Sequence, residues 1–463
     1  MTRKLLLTLL TLILVACVCL TGSGLAAAGT FMLNSAKEIN SSPQDGLPFP
    51  VILPESLEGE ALPRDMLAAM DQIQLEVAQI RRLAPQQAVY RDVLSKAELQ
   101  KVVESEFFRD YPTEDVQVDT QLLTALGLLE PGFDLLGFYQ NLYSEQVAGY
   151  YDPETKEMIV VQADDFSGLE RMTYAHEYTH ALQDQTYDLY NGLGFQDGLC
   201  VLNGDECAAV LALIEGDATF TEQLWFFRNS SQQDKLDVQA FALNFQTPVF
   251  DSAPEFMRQD FMFPYIQGNE FVQSQYDKAG WLGVEWAYDQ PPLSTEQILH
   301  PHLYFGEIPQ YVHMPLMADE QSGWKMVDSG VLGEWYTLLV LAYGWQPEAR
   351  LPLAQAKEAA AGWGGDSYAL YDHSKTNQQA LVVRWLADSQ ADADQLFAAL
   401  SQYGQTRWSG GDWTFPDANQ AVMENPEAAV WISRMGNEIL WVLAPDEDTL
   451  KWLKGGFPAW TMR

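Results

Sequence analysis

The chain has 463 residues, with 64 Asp and Glu against 26 Lys and Arg, and a formal net charge of −38 at pH 7. Such a charge repels phosphate backbones and excludes nucleic acid as a partner. A content of 47% hydrophobic and 12% aromatic residues excludes a disordered chain and provides for two or three packed structural units.

Arg3 and Lys4 precede a largely apolar stretch from Leu5 to Val15, and Leu14-Val15-Ala16-Cys17 has the small-residue pattern that precedes a lipid-modified bacterial cysteine. A chain that starts this way is expected to leave the cytoplasm. Two anchors fit. Acylation of Cys17 leaves no transmembrane helix and tethers the protein to the outer face of a membrane. An uncleaved signal anchor runs instead from Leu5 to about Leu20, or on through Thr21 to Leu33. Either places the bulk of the chain in an extracytoplasmic compartment. Residues 1–28 are assigned to this segment and 29–62 to a flexible linker, since Asn34 to Leu62 is rich in Ser, Pro, Gly and Glu.

Apolar residues at three- and four-residue spacing predict helices over Pro63 to Leu83, Val93 to Phe108 and Asp119 to Leu129. A hairpin follows: Val147-Ala148-Gly149-Tyr150-Tyr151, a turn through Asp152 to Lys156, then Met158-Ile159-Val160-Val161. Leu169, Met172, Ala175, Thr179 and Leu182 then mark an amphipathic helix that contains His176-Glu177-Tyr178-Thr179-His180. Two imidazoles four residues apart share one helix face and can hold one zinc ion, and Glu177 is placed to take a proton from water. Such a pentapeptide arises by chance in roughly one chain of this composition in a hundred, so its surroundings decide its meaning.

Cys200 and Cys207 flank a turn-rich stretch, and an oxidising compartment lets them pair. Neither belongs to a CxxC pair nor has a nearby His, which argues against a cysteine zinc site. The run Ala208-Ala209-Val210-Leu211-Ala212-Leu213-Ile214 predicts a helix buried on most sides, ending in Glu215-Gly216-Asp217. A carboxylate there costs several kcal/mol if left without a partner, so it is expected to be hydrogen-bonded, neutralised or bound to a cation. Glycine costs about 1 kcal/mol against alanine inside a helix, and Gly216 marks a close approach of another backbone.

Over roughly residues 145 to 230 the chain resembles the gluzincin zinc metallopeptidases, to which the thermolysin-like enzymes belong: an HExxH helix followed, after 34 intervening residues, by a Glu on a second helix. The stretches Ser294 to Pro301, Gly362-Trp363-Gly364-Gly365-Asp366 and His180 to Gln185 are similar to a family of exported, largely uncharacterised bacterial proteins. The resemblance implies His176, His180 and Glu215 as zinc ligands and Glu177 as general base, with Asp217 as the competing third ligand. It implies hydrolysis of a peptide bond by a zinc-activated water. Thermolysin-like enzymes place an Asp four residues after the ligating Glu to orient the first His. Thr219 stands there in this chain, which leaves the orienting partner of His176 unassigned. By analogy of order His300, with Tyr304, is a candidate to face the oxyanion, against a reading of both as capping a turn around Pro301. His302, His313 and His373 lack metal-ligand spacing and are expected to be ordinary histidines.

From Phe241 to Gln310 the chain is aromatic, punctuated by Pro and expected to be irregular, and Gly333-Glu334-Trp335 opens a further helix. Beyond Pro352 the pattern predicts a helix over Ala354 to Ala361 and a Gly/Trp turn. A strand over Ala380 to Leu386, a helix over Ala391 to Leu400, strands over Ala428 to Ile432 and Glu438 to Ala444 and a last helix from Thr449 follow. Trp363 and Asp366 mark either a recognition surface or a core aromatic with a turn-capping Asp.

The expectation is an α+β, mostly helical chain with a zincin-like catalytic core over 63–350, built from an edge hairpin, the HExxH helix and the Glu helix, and a small α+β appendage over 351–463. Its expected activity is that of an extracytoplasmic, membrane-tethered zinc peptidase acting on peptides or proteins. The alternative is a catalytically silent zincin-fold binding or structural protein of the cell envelope. The sequence leaves substrate preference and oligomeric state open.

Overall fold

Short apolar runs and helical periodicities alternate through the first third of the chain, and the expected helix from Val93 is the one corrected there. The computed structural model describes residues 51–463 apart from 55–56, 59–61, 103–112, 154, 162–165, 195–197, 245, 316, 318–322, 377, 425–427 and 462–463. The expected anchor, Cys17 and most of the linker lie outside the described residues.

The first unit contains β1 (Leu57–Glu58), α1 (Arg64–Arg81), β2 (Tyr90–Leu94), α2 (Lys96–Val102), α3 (Thr113–Leu126), α4 (Leu135–Gln146), β3 (Gly149–Asp152) and β4 (Glu157–Val161). The helix expected from Val93 begins instead at Lys96, because Tyr90–Leu94 pairs in parallel with both β1 and β4. Only Arg91 of this strand is buried, and Tyr90–Leu94 carries no apolar/polar alternation to announce it. The expected hairpin is present, β3 and β4 being antiparallel with Tyr150 opposite Ile159, and β3 lies at the edge of the sheet order β1-β2-β4-β3.

Five helices and two short turns of helix then follow: α5 (Gly168–Tyr187), α6 (Leu199–Leu202), α7 (Gly204–Asn229), α8 (Gln232–Asn244), α9 (Pro248–Ser252), α10 (Glu255–Ala279) and α11 (Trp281–Asp289). Ser167 and Glu170 open α5 as a capping box, the Ser167 amide donating to Glu170 at 3.1 Å. Asn203 caps α7 by accepting from the Glu206 amide. A Cys200–Cys207 disulfide with a Cα–Cα distance of 4.9 Å ties α6 to the first turn of α7. The stretch from Phe241, expected to be irregular, is mostly helical and includes a 25-residue helix with Pro264 inside it. Phe, Tyr and Asn are weak helix formers and Pro is a breaker. Packing overrides them: Phe256, Phe263, Phe271 and Val272 are buried against the rest of the core.

A short helix α12 (Thr295–Leu299) leads into the second unit: β5 (Trp324–Gly330), α13 (Gly333–Tyr343), α14 (Leu353–Ala360), β6 (Trp363–His373), β7 (Gln379–Ala387), α15 (Gln390–Arg407), β8 (Asp412–Thr414), β9 (Gln420–Glu424), β10 (Ala429–Met435), β11 (Glu438–Ala444), α16 (Glu447–Gly455) and α17 (Pro458–Thr461). The strands form one antiparallel sheet in the order β5-β6-β7-β11-β10-β9-β8. The expected Gly/Trp turn is the start of β6, which bulges between Trp363 and Gly365, and the sheet reaches back to Trp324, before the expected boundary at 351. Leu381, Val383 and Trp385 join the core shared with the helical unit, while Ala380 and Val382 face a second cluster with Leu450, Leu453 and Trp460 of α16 and α17. Burial of both faces makes these strands continuous apolar runs in the sequence. The architecture is mixed α+β with helices predominating.

Candidate metal centre

Helices α5 and α7 pack side by side, and α10 lies across α7. The crossing depends on two glycines. A Cβ added at Gly216 would stand 2.2 Å from the carbonyl carbon of Gly268, and one at Gly268 would stand 2.1 Å from the carbonyl oxygen of Ala212. No side chain fits between these backbones. The close approach expected at Gly216 is therefore to α10.

This packing turns three side chains toward one point. One ligand-capable atom from each of His176, His180 and Glu215 lies within 4.8 Å of the others. Glu215 Oε2 is 3.2 Å from His176 Nε2 and 3.5 Å from His180 Nε2. The imidazole rings stand edge to face with centroids 4.8 Å apart. Their other nitrogens are occupied: His176 Nδ1 is 2.8 Å from Glu222 Oε2, and His180 Nδ1 is 2.8 Å from Gln183 Oε1. A proton on each Nδ1 directs both Nε2 lone pairs inward. Gln183 is held in turn by donating to the Ile214 carbonyl and to Asp217, each at 3.0 Å.

Glu222 is the partner of His176 that the sequence left unassigned. It lies seven residues after Glu215 on the same helix, two turns on and on the same face, and that spacing was the available signal. Asp217 faces elsewhere. It accepts from Arg81 Nε at 2.7 and 3.0 Å, from Gln183 and from the Tyr288 hydroxyl at 2.9 Å. Burial works against the Arg81 charge, but Asp217 outweighs it and raises the guanidinium pKa. The structure thus brings Glu215, and not Asp217, to the histidines.

Glu177 stands beside this trio, fully buried, with neither carboxylate oxygen in a hydrogen bond. The Tyr151 backbone faces it at a geometry short of a hydrogen bond. Edge strand β3 passes close by: a Cβ at Gly149 would meet Thr173 Cγ2 at 2.8 Å and Glu177 Cγ at 3.4 Å. Asp184 of α5 pins the hairpin, accepting from the Tyr151 hydroxyl at 2.7 Å and from Lys156 Nζ at 2.6 Å.

Burial, reinforced by Glu215 and Glu222, drives the Glu177 carboxyl well above the usual carboxylate range, with His176 opposing. Burial would also lower the pKa of His176, yet the bonds to Glu215 and Glu222 raise it well above that of a free imidazole. Glu215 is held below its ordinary value by His180 and His176 despite its burial. The centre is thus a closed set of two imidazoles and acidic oxygens with no lysine or arginine bonded to Glu215 or Glu177 among the described residues. His180 Nε2 and Glu215 Oε1 also lack hydrogen bonds, so the orphaned atoms are those that a cation and a water would satisfy. Two imidazoles and one carboxylate are a donor set that zinc accepts.

Histidine, glutamate and the catalytic candidate are at most 1% exposed, and Tyr265 of α10 lies over His176 with ring centroids 6.3 Å apart. His300 and Tyr304 have other partners. His300 Nε2 is 3.0 Å from Glu334 Oε1, which raises its pKa, and the buried Tyr304 hydroxyl donates to the Gln290 carbonyl. Asp366 caps α13, accepting from the Leu332 and Gly333 amides at 2.8 Å and from Trp363 Nε1 at 2.7 Å. Trp363 and Asp366 are thus a buried pair within the fold.

Residues 321–454 match a family described as a domain of unknown function, DUF8575, which covers the second sheet and helices α13 to α15 with most of α16, and not the histidine cluster. No curated protein and no solved structure matches the chain.

Proposed function

We propose that this chain is a zinc-dependent peptidase of gluzincin type with a zincin-like core, acting outside the cytoplasm and tethered to a membrane by its N-terminal segment. The observation that carries the reading is the convergence of His176, His180 and Glu215 beside a Glu177 whose two oxygens have no protein partner. His176, His180 and Glu215 would hold the metal. When bound, zinc supplies Lewis acidity, which brings the pKa of water to about 7 and polarises a carbonyl.

The remaining work falls to the chain. Glu177 accepts the proton of the attacking water and returns it to the leaving amine, its two oxygens carrying no other protein hydrogen bond. Glu222 and Gln183 fix the tautomers of the two histidines. Edge strand β3, brought against Glu177 by Gly149, offers an extended substrate a row of backbone groups to pair with. The Cys200–Cys207 disulfide supports an oxidising, extracytoplasmic setting.

The near-complete burial of the centre favours a second reading, in which the fold binds zinc without turnover as an envelope binding protein. Zinc analysis of the full chain and of Glu177→Gln, beside cleavage of a peptide library, separates the two. Zinc in both proteins with cleavage only by the parent is the expected result. Zinc in both and cleavage by neither selects the silent reading, and absence of zinc from the parent overturns both.

A further inference from the structure

A second group of acids lies apart from the histidine cluster. Glu296 of α12, Glu307 in the loop that follows and Asp388 in the turn after β7 each offer an oxygen, and the three lie within 4.8 Å of one another. Acidic clusters are common on a chain of this charge, but one member of this group is not a surface residue. Glu296 is fully buried, and neither of its carboxylate oxygens has a hydrogen-bond partner. Neighbouring Glu334 is also buried and uses Oε1 on His300, which leaves Oε2 without a partner. Among the described residues no lysine or arginine forms an ion pair with Glu296, Glu307 or Asp388. Like charges this close require either shared protons or a cation.

We propose that Glu296, Glu307 and Asp388 form a calcium site that joins the helical unit to the C-terminal sheet. The donors are all carboxylate oxygens, which select a hard cation over zinc. Calcium binds oxygens at about 2.3–2.6 Å, so oxygens that lie within 4.8 Å of one another can share one ion. The exposed Asp388 leaves a side open to the waters that complete such a shell. Without a cation, burial pushes the Glu296 carboxyl up to about 10, and burial with Glu307 at hydrogen-bonding range pushes Asp388 up to about 6.

The surroundings show what the ion would secure. Glu296 and Glu307 belong to the chain before the matched family region, and Asp388 to the region itself. A backbone bond already crosses here, from the Gln310 amide to the Gly364 carbonyl at 2.8 Å, and within the first part Gln297 Nε2 donates to the Glu307 carbonyl at 2.7 Å. Asp205, in the first turn of α7, accepts from the Thr295 backbone and hydroxyl at the start of α12. The helix that carries Glu215 is thereby connected to the proposed ion through one intervening element.

The test is calcium titration of the full chain by calorimetry at fixed ionic strength, with thermal melts in parallel. It shares no residue with the histidine cluster, so zinc content measured alongside keeps its outcome separate from the peptidase reading. The parent is expected to bind one calcium ion with a Kd of about 10⁻⁴ to 10⁻³ M, the range of extracellular sites, and to melt higher when loaded. Asp388→Asn is expected to weaken binding at least about tenfold and Glu296→Gln to abolish both responses, with zinc unchanged. Asp388 is exposed, so its variant tests the site even if Glu296→Gln fails to fold. Lack of saturable binding by the parent, or an unchanged Kd in Asp388→Asn, would overturn the proposal. A calcium-independent rise in the melting temperature of Glu296→Gln would assign the site to a proton.

Discussion

Replacing Gly216 with alanine tests whether the α7–α10 crossing sets the geometry of the centre. The added carbon would lie 2.2 Å from a backbone carbon of Gly268, while ordinary contact begins at 3.4 Å, so the helices must part by at least 3.4 − 2.2 = 1.2 Å. Overpacking of a closed interface costs about 1–3 kcal/mol, and more where the obstacle is backbone. Alanine returns about 1 kcal/mol of helix propensity. The net expectation is a loss of about 2 kcal/mol, read as a lower urea midpoint at constant slope. Because Glu215 is the adjacent residue, parting the helices also moves its carboxylate relative to His176 and His180, and bound zinc is expected to fall. Gly268→Ala, which would place a carbon 2.1 Å from the Ala212 carbonyl oxygen, is expected to behave alike. A Gly216→Ala protein more stable than the parent by the propensity gain alone, with full zinc, would refute the crossing.

Three other outcomes follow from the same contacts. Glu222→Ala removes the acceptor at His176 Nδ1 and is expected to weaken zinc binding about 10- to 100-fold in a competitive chelator titration, and an unchanged affinity would show that Glu222 does not orient the ring. Asp217→Asn leaves the buried Arg81 without its counter-charge and is expected to cost about 3–5 kcal/mol in urea unfolding, a loss below about 1 kcal/mol counting against the pair. Burial pushes Asp205 up to about 7 against an ordinary value of 3.8, so between these pH values the folded state holds a proton that the unfolded state has lost. Stability from this group is therefore full below about pH 4 and declines as pH rises toward 7, by at most about 4 kcal/mol. Asp205→Asn is expected to flatten that decline in urea midpoints measured across the window; an unaltered slope would place the titration elsewhere.

The parts of the centre that a helix repeat encodes were legible in the sequence. His176 and His180 had to share a face wherever α5 packed, and the apolar run before Glu215 announced a buried carboxylate. Glu222 obeyed the same repeat but carried no motif to mark it. Arg81 and the Gln183 bonds to Ile214 and Asp217 were hidden for another reason, since those partners lie on other helices and only packing creates the pairs, whereas Gln183 meets His180 three residues away on α5 itself. The long α10 was obscured because its aromatic residues and Pro264 speak against a helix locally, whereas their burial against α7 decides the outcome. In the second unit β6 was missed because residues on both of its faces are buried and because Gly364 and Gly365 resemble a turn when they form a bulge, while β5 has no alternation of buried and exposed positions to announce it.

The bonds around Asp217 set a lower limit on how the molecule can be divided. That one carboxylate collects Arg81 from α1, Gln183 from α5 and Tyr288 from α11, elements spread over more than 200 residues of chain. Any shortened version meant to retain the histidine cluster must therefore keep Arg64–Arg81, since trimming that helix strands a negative charge in the interior two positions from Glu215. Protease nicks or deletions near the start of the folded part would in this way reach the metal-binding side chains without touching them.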